Sequence, residues 1–447
     1  MKTTQENQIA GFEWLNGMPT GWHFAALKRL LSEPLKYGAT ESGDCNDQSL
    51  PRYLRITDFD NDGKLRTDTY ASLPEEIARN FALKEDDVLF ARSGATVGKT
   101  FFFRNYQGQA CFAGYLIKAS TMRHRLAPEF LYFFTKSNAY EAWKDFIFTQ
   151  ATIQNIGADK YSYLPIPLPP LPEQHRIATY LDASCAAIDA AIVAKRRQIE
   201  TLGALRKSMI LSAVTKGIKH AVSSKLSGVE WFGDIPNHWY CQHLKRVTVR
   251  IQAGVTPPTD TPEYYEEGTI PWFAPGSFEG GLELREPRKL VNTLALTNGV
   301  LRMYPTQTVF LIGIGATIGK IGIITEPASC NQQIIGIVSG HSLFGRFLAY
   351  QMKIYEDVIP NIAVATTLPI FDQVKTGYLP ILIPPLCEQE EICDFLDKKL
   401  AELNAIVVTI NEQIQTLTNY RKSLIHECVT GQRRITEADL NRVKAHG

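Results

Sequence analysis

The longest regular pattern in the chain is a recurrence of apolar residues at alternating steps of three and four. It runs through Ile177, Leu181, Cys185, Ile188, Ile192, Ile199, Leu202 and Met209, interrupted by Lys195 and Arg206. It returns through Ile392, Leu396, Leu400, Leu403, Val407, Ile410, Ile414, Leu417 and Leu424, interrupted by Arg421. That spacing predicts two long helices, each carrying a coiled-coil seam. A seam of about 35 to 40 residues spans roughly 55 to 60 Å at 1.5 Å per residue. Two seams of matching length and register predict that the helices pair, and an antiparallel pair would carry one globular head at each end. Elsewhere, runs such as VLFAR, TVGKTFFF, TVFLIGI, KIGIIT and QIIGIVS lie between Gly, Asn and Pro and read as strands. PEFLYFFTKSNAYEAWKDF and LFGRFLAYQMKIYEDVI carry helical spacing, so each globular part reads as mixed α+β. Prolines 165, 167, 169, 170 and 172, mirrored by Pro380, Pro384 and Pro385, predict stiff extended connectors. Glu173 and Glu388 then fall in first helical turns, where the helix dipole favours a carboxylate.

The chain repeats itself. GFEWLNGMPTGWHFAALKR at 11–29 returns as GVEWFGDIPNHWYCQHLKR at 228–246, an offset of 217. GATVGK at 94–99 returns as GATIGK at 315–320, an offset of 221. YLPIPLPPLPEQ at 163–174 returns as YLPILIPPLCEQ at 378–389, and TL-x3-RKS from Thr201 returns from Thr416, both at offset 215. The helical half is therefore locked in length and the globular half is not. Residues 32–87 and 249–308 resemble each other little although matching segments flank them, so one scaffold carries two different surfaces. The expected domains are a first globular head at 1–160, a connector and first spacer helix at 161–227, a second globular head at 228–375, and a connector, second spacer helix and tail at 376–447. The expected fold is α+β, two pseudo-twofold-related heads separated by an antiparallel coiled coil.

Composition narrows the function. With 447 residues, 45% apolar and 21% charged, the chain is expected to be globular and multidomain. No run of about 18 consecutive apolar residues occurs, and the polar start MKTTQENQ does not resemble a signal peptide, so the expected location is cytoplasmic. The eight cysteines form no CxxC pair, and the nine histidines form no HExxH. Gly94 and Gly98 enclose three residues where a phosphate-binding loop needs four, Gly315 and Gly319 do the same, and Ile321 follows Lys320 where Ser or Thr should hold magnesium. A tight turn between strands is the favoured reading, with Lys99 and Lys320 still able to face a backbone phosphate. No GxSxG, GxGxxG or Asn-Pro-Pro-Tyr-like segment appears, so no catalytic residue and no metal ligand is assigned.

Taken together, the W-x4-P-x2-W-x4-LKR openers at Trp14 and Trp231, the GAT-[VI]-GK turns, the IP-[LI]-PPL-x-EQ connectors and the TL-x3-RKS helix ends resemble the specificity subunit of Type I restriction-modification systems. The resemblance covers nearly the whole chain. It implies a non-catalytic subunit with two target recognition domains, each reading half of a bipartite DNA sequence, on helices that act as a ruler. It also implies two methyltransferase subunits and restriction subunits as partners. S-adenosylmethionine, ATP and magnesium would then sit on those partners and no cofactor on this chain.

Candidate DNA contacts are residues able to read base edges or grip phosphates. The first head offers Arg52, Arg55, Lys64, Arg66, Arg92 and Lys99, with Tyr53 and Gln107. The second offers Arg285, Arg288, Lys289 and Lys320, with Gln307, Gln332 and Gln333 able to pair with adenine. Charge argues against strong nonspecific binding: residues 11–160 hold 18 basic against 18 acidic side chains, and residues 228–375 hold 11 against 13. This neutrality also suits a structural coiled-coil adaptor with two ligand-binding domains, the alternative reading.

Overall fold

The computed structural model describes residues 17–60, 63, 65–149, 155–219, 223–278, 280–363 and 369–446. Two compact units emerge, residues 1–196 with 411–447, and residues 197–410. Each combines a head of strands and short helices with stretches of both long helices, α1 (Leu171–Lys216) and α2 (Leu386–Val429).

The helices run antiparallel within each unit. In the first, Arg421 meets Asp189 at 3.0 Å and Lys195 donates to Gln413 at 2.6 Å, so residue numbers rise on one helix as they fall on the other. In the second, Arg206 donates to Asn404 at 3.3 Å and Lys219 pairs with Glu391 at 2.8 Å, in the same sense. The seam is driest where it meets a head. Ile177, Leu181, Cys185, Ile188 and Leu424 join Val88, Phe90, Phe130 and Phe134 in the first core. Ile392, Leu396 and Leu400 join Leu311, Ile337, Phe347 and Tyr355 in the second. Ile192 and Ile410 are also buried. Ile199, Leu202, Leu403, Val407, Ile414 and Leu417 are only half-buried. Two helices alone shield only one side of such a row. Met209 is likewise half-buried, and its neighbour Ile210 takes the interior place. α1 is long and apolar enough to cross a membrane by length and composition, but its Ile177, Leu181 and Ile188 are core residues of the first unit.

The strand-like runs do form strands in both heads, because β-branched and aromatic side chains pack well on a pleated surface. The first head holds an antiparallel sheet in the order Lys36–Tyr37, Leu116–Ala119, Asp87–Ala91, Thr100–Phe103. Beside it Arg52–Leu54 pairs in parallel with Ala110–Phe112. The second head orders Thr248–Ala253, Ile334–Ser339, Val309–Ile312, Ile321–Ile324 and Glu283–Leu284, with only the last pair parallel. The proline connectors are themselves strands. Pro165–Leu168 pairs antiparallel with His23–Ala26, and Pro380–Ile383 with Tyr240–His243, so each opener is stitched to the connector of its own copy.

The repeated motifs build one latch twice. Trp22 and Trp239 are buried, and their indole N–H groups donate to Glu173 at 3.2 Å and Glu388 at 3.0 Å. The adjoining glutamines serve the backbone. Gln174 accepts from the N–H of Ala127, and Gln389 from that of Phe344, each at 2.8 Å. Gln174 also donates to the carbonyls of Arg125 and Pro169 at 3.0 Å, and Gln389 to those of Ser342 and Pro384 at 2.9 Å. Ala127 and Phe344 stand at the starts of short helices, whose first N–H groups have no intrahelical partner. One buried amide thus satisfies three backbone groups, which explains why the Glu-Gln pair recurs. Gly431 and Gly217 end the long helices in the left-handed region, at φ 80° and 74°. Each lies against the latch tryptophan of its unit, where an added Cβ would stand 3.3 Å from the ring.

Candidate nucleic-acid interface

Both heads erect the same hydrogen-bonded cage at one end of the main sheet. In the first, backbone N–H groups of Ala39, Arg92, Leu116 and Ile156 donate to the carbonyls of Phe112, Tyr115, Ala113 and Arg92, at 2.9, 3.0, 2.9 and 2.9 Å. In the second, Val255, Gly313, Ile334 and Phe371 donate to Cys330, Gln333, Asn331 and Gly313, at 2.9, 2.8, 3.1 and 2.8 Å. Gly38 and Gly254 permit the closest approach, since a Cβ there would lie 2.2 Å from the Phe112 carbonyl oxygen and 2.1 Å from that of Cys330. The GATVGK and GATIGK segments are tight turns joining two antiparallel strands, with Gly98 donating to Ala91 and Gly319 to Ile312 at 2.9 Å.

The side chains on the two cages differ. The first displays Tyr115, 65% exposed, and Arg92, whose guanidinium lies 5.0 Å from the Tyr37 ring centre. Arg92 Nε is buried without a hydrogen-bond partner among the described residues. In the second, Gly313 stands where Arg92 does and Gln333 where Tyr115 does. Exposed Gln332 accepts from the Thr256 hydroxyl, and Gln333 accepts from the Asn331 amide at 3.0 Å.

The remaining sequence candidates scatter. Arg52 and Tyr53 are a correction, because both are interior. Arg52 donates to the carbonyls of Arg66 and Thr69 at 2.7 and 2.9 Å, and Tyr53 to those of Ala39 and Glu41 at 2.9 and 3.1 Å. They follow one another in the buried strand Arg52–Leu54, whose polar ends must bond internally. Gln307 is half-buried in a turn at φ 64°, with its side-chain oxygen buried. Arg55 is ion-paired to buried Asp58 at 3.1 Å, and Arg66 to Asp68 at 2.6 Å. Lys99 and Gln107 are exposed in loops, and Lys320 is exposed at the foot of the second cage. Lys64 lies outside the described residues. Tyr115, Tyr37 and Thr256 were not among the candidates. The cage hydrogen bonds pair Tyr115 with Gln333 at offset 218, which none of the sequence offsets of 217, 221 and 215 announces.

Arg285 and Arg288 come together in a polar cavity of about 690 Å³ in the second unit, lined also by Arg206, Arg346, Glu283 and Asp397. Lys289 is exposed beside it, 4.6 Å from the Tyr265 ring centre. Arg346 ties this wall together, reaching Glu283 at 2.7 Å and Asp397 at 2.7 Å, while Tyr350 donates to Asp397. Burial opposes the Arg346 charge, but the two carboxylates outweigh it and hold the guanidinium protonated. One feature repeats unchanged outside the cages: Lys28 lies 3.8 Å from the Tyr163 ring centre, and Lys245 3.5 Å from that of Tyr378. The lysines lower the pKa of both phenols.

A family model described as the Type I restriction modification DNA specificity domain matches residues 40–201 and again 248–416. The chain belongs to that family. Like its relatives, this specificity subunit recognises DNA sequence and is not the catalytic component. It is 23% identical to the provisionally assigned type I restriction enzyme MjaX specificity subunit of Methanocaldococcus jannaschii, over 94% of this chain and 95% of that one. It is 22% identical to the EcoDI specificity subunit of Escherichia coli, over 89% of each. Two solved structures share the fold. A chain from a study of complex assembly in the type I R-M system matches at TM-score 0.73 with 18% identity, over 92% of this specificity subunit and 98% of its own length. The HsdS subunit of Thermoanaerobacter tengcongensis matches at TM-score 0.53 with 18% identity, over 93% and 98%.

Proposed function

We propose that the two heads read the two halves of a split DNA target, and that the paired helices set the gap between them. The observation behind this reading is that one latch, built from Trp22, Glu173 and Gln174 or from Trp239, Glu388 and Gln389, fastens two heads with unlike surfaces to the same helix pair. Neither head is basic overall, so partner subunits supply most phosphate contacts and this chain supplies base readout. Those partners are methyltransferase and restriction subunits. S-adenosylmethionine, ATP and magnesium belong to them.

The ruler is testable by lengthening it. Insert seven residues, one seam period, at matching places in α1 and α2 of the reconstituted complex. The helices lengthen by about 10 Å, close to three base pairs at 3.4 Å each. Methylome mapping should return the same two half-sites with a gap longer by that amount. An unchanged gap sinks the ruler, and a wild-type complex that protects no split motif in footprinting sinks the recognition reading in favour of an adaptor.

A further inference from the structure

The two cages hold matching backbones and present different chemistry at equivalent places. We infer that the cage tips, residues 113–115 with Arg92 in the first head and residues 331–333 in the second, are the base-reading elements that make the half-sites differ. The inference rests on the split-target reading above and adds which side chains choose the bases.

Three observations carry it. The cage backbone is fixed from several sides. Phe112, Ala113 and Tyr115 each accept a hydrogen bond from another segment or from within the hairpin, and Cys330, Asn331 and Gln333 do the same. A tip held this firmly loses little freedom on binding, which suits a reading element. Next, the exposed and half-exposed side chains of the tips match known base-edge partners. Arginine pairs with the O6 and N7 of guanine, and glutamine pairs bidentately with adenine. Arg92 is half-exposed and steered by the Tyr37 ring, and because its Nε is buried its terminal amino groups are the ones left to meet guanine, while Tyr115 beside it offers a stacking or methyl-contacting face. In the second head the Thr256 hydroxyl fixes the Gln332 side-chain oxygen, which keeps a second lone pair for an adenine amino group. Last, the difference is confined to side chains. Gly313 removes the arginine from the second cage, and Gln333 replaces the tyrosine, while the hydrogen bonds beneath are retained. The first half-site should therefore contain guanine under Arg92, and the second adenine under Gln332 and Gln333.

The test uses the complex with its methyltransferase partners, acting on a randomised library of split sites whose methylation is read by sequencing. Arg92→Ala with Tyr115→Ala should lower base preference about tenfold or more at one position of the first half-site and leave the second unchanged. Gln332→Ala with Gln333→Ala should do the reverse. A variant that fails to assemble is replaced by Arg92→Met or Gln332→Met, which keep an unbranched side chain but cannot hydrogen-bond a base edge and should give the same half-restricted loss. If assembled variants keep full preference at both half-sites, the tips do not read bases and the inference is overturned. If preference falls equally at both, the tips act through the fold and the inference is again overturned. A wild-type complex with no split motif would instead overturn the function on which this rests.

Discussion

The two units solve one fastening problem with different partners. Asp182 and Asp397 occupy the same place on α1 and α2, at the offset of 215 shared by all the helical markers. In the first unit Asp182 takes a bidentate contact from Arg104, just beyond the strand Thr100–Phe103, at 3.0 and 3.1 Å. In the second, Asp397 takes Arg346 and Tyr350 from the helix Gly345–Met352, and Arg346 also reaches Glu283. The helix keeps the acceptor where it is, and the head brings a donor from whichever element is near. The same division separates the latch, alike in both units, from the cage tips, which share a backbone and little else. What must be common resides in the helices, connectors and backbone hydrogen bonds, and what must differ resides in exposed side chains.

The latch offers the largest test of this division. Trp239 is fully buried, so Trp239→Ala should cost about 3 to 5 kcal/mol, as large-to-small core changes do. Trp22 is 8% exposed, and Trp22→Ala should fall toward the lower end of that range. Limited proteolysis with mapped cleavage sites should show new cuts within 228–375 for the former and within 17–160 for the latter. Cuts appearing equally in both heads would mean that the units do not hold themselves together separately.

The aspartates sharpen the comparison at smaller scale. The Arg104 and Asp182 side chains are 40% and 41% exposed, and exposed pairs contribute well under about 1 kcal/mol. Arg346 and Asp397 are 23% and 33% exposed within a network, so Asp397→Ala leaves the partly buried guanidinium with Glu283 alone and takes the acceptor from Tyr350, at a cost of about 2 kcal/mol. Chemical denaturation of the two single variants should separate them by more than about 1 kcal/mol. Equal losses would show that the second network contributes no more than an exposed pair.

Much of this was legible in the sequence because it is periodic or repeated. The seams from Ile177 and Ile392 announce the helices, and the offsets of 217, 221 and 215 announce two copies with a length-locked helical half. The site was less legible. Arg52 and Tyr53 look like a basic and aromatic pair suited to DNA, yet their strand is buried and turns both side chains to backbone carbonyls. Side-chain type cannot distinguish a buried arginine that ties loops together from an exposed one that meets a ligand. Arg92, Gln332 and Gln333 were recognisable by type, but the cage that pairs Gln333 with Tyr115 depends on contacts between segments about 75 residues apart in each copy, such as Ala39 with Phe112 and Val255 with Cys330. Single-sequence periodicity does not report such contacts.

A further effect, smaller than those of Trp239 and Asp397, lies in the latch carboxylate of the second unit. Burial alone would raise the pKa of Glu388, but hydrogen bonds from Trp239 and His238 more than offset it and hold the carboxyl below its ordinary range. A carboxyl whose folded pKa lies below its unfolded value contributes stability that is fully present above the unfolded value. That contribution fades as pH falls from the ordinary carboxylate range through the lowered folded value. Glu388→Gln keeps the shape and an acceptor for the indole but removes the charge. It should therefore destabilise the second unit by about 1 kcal/mol near neutral pH, the scale of one charged hydrogen bond in a partly exposed place. The gap between variant and wild type should close as the medium is acidified below the ordinary carboxylate range. A gap that stays constant across that range in pH-dependent melts would mean that the latch works through packing of Trp239 and not through the charge on Glu388.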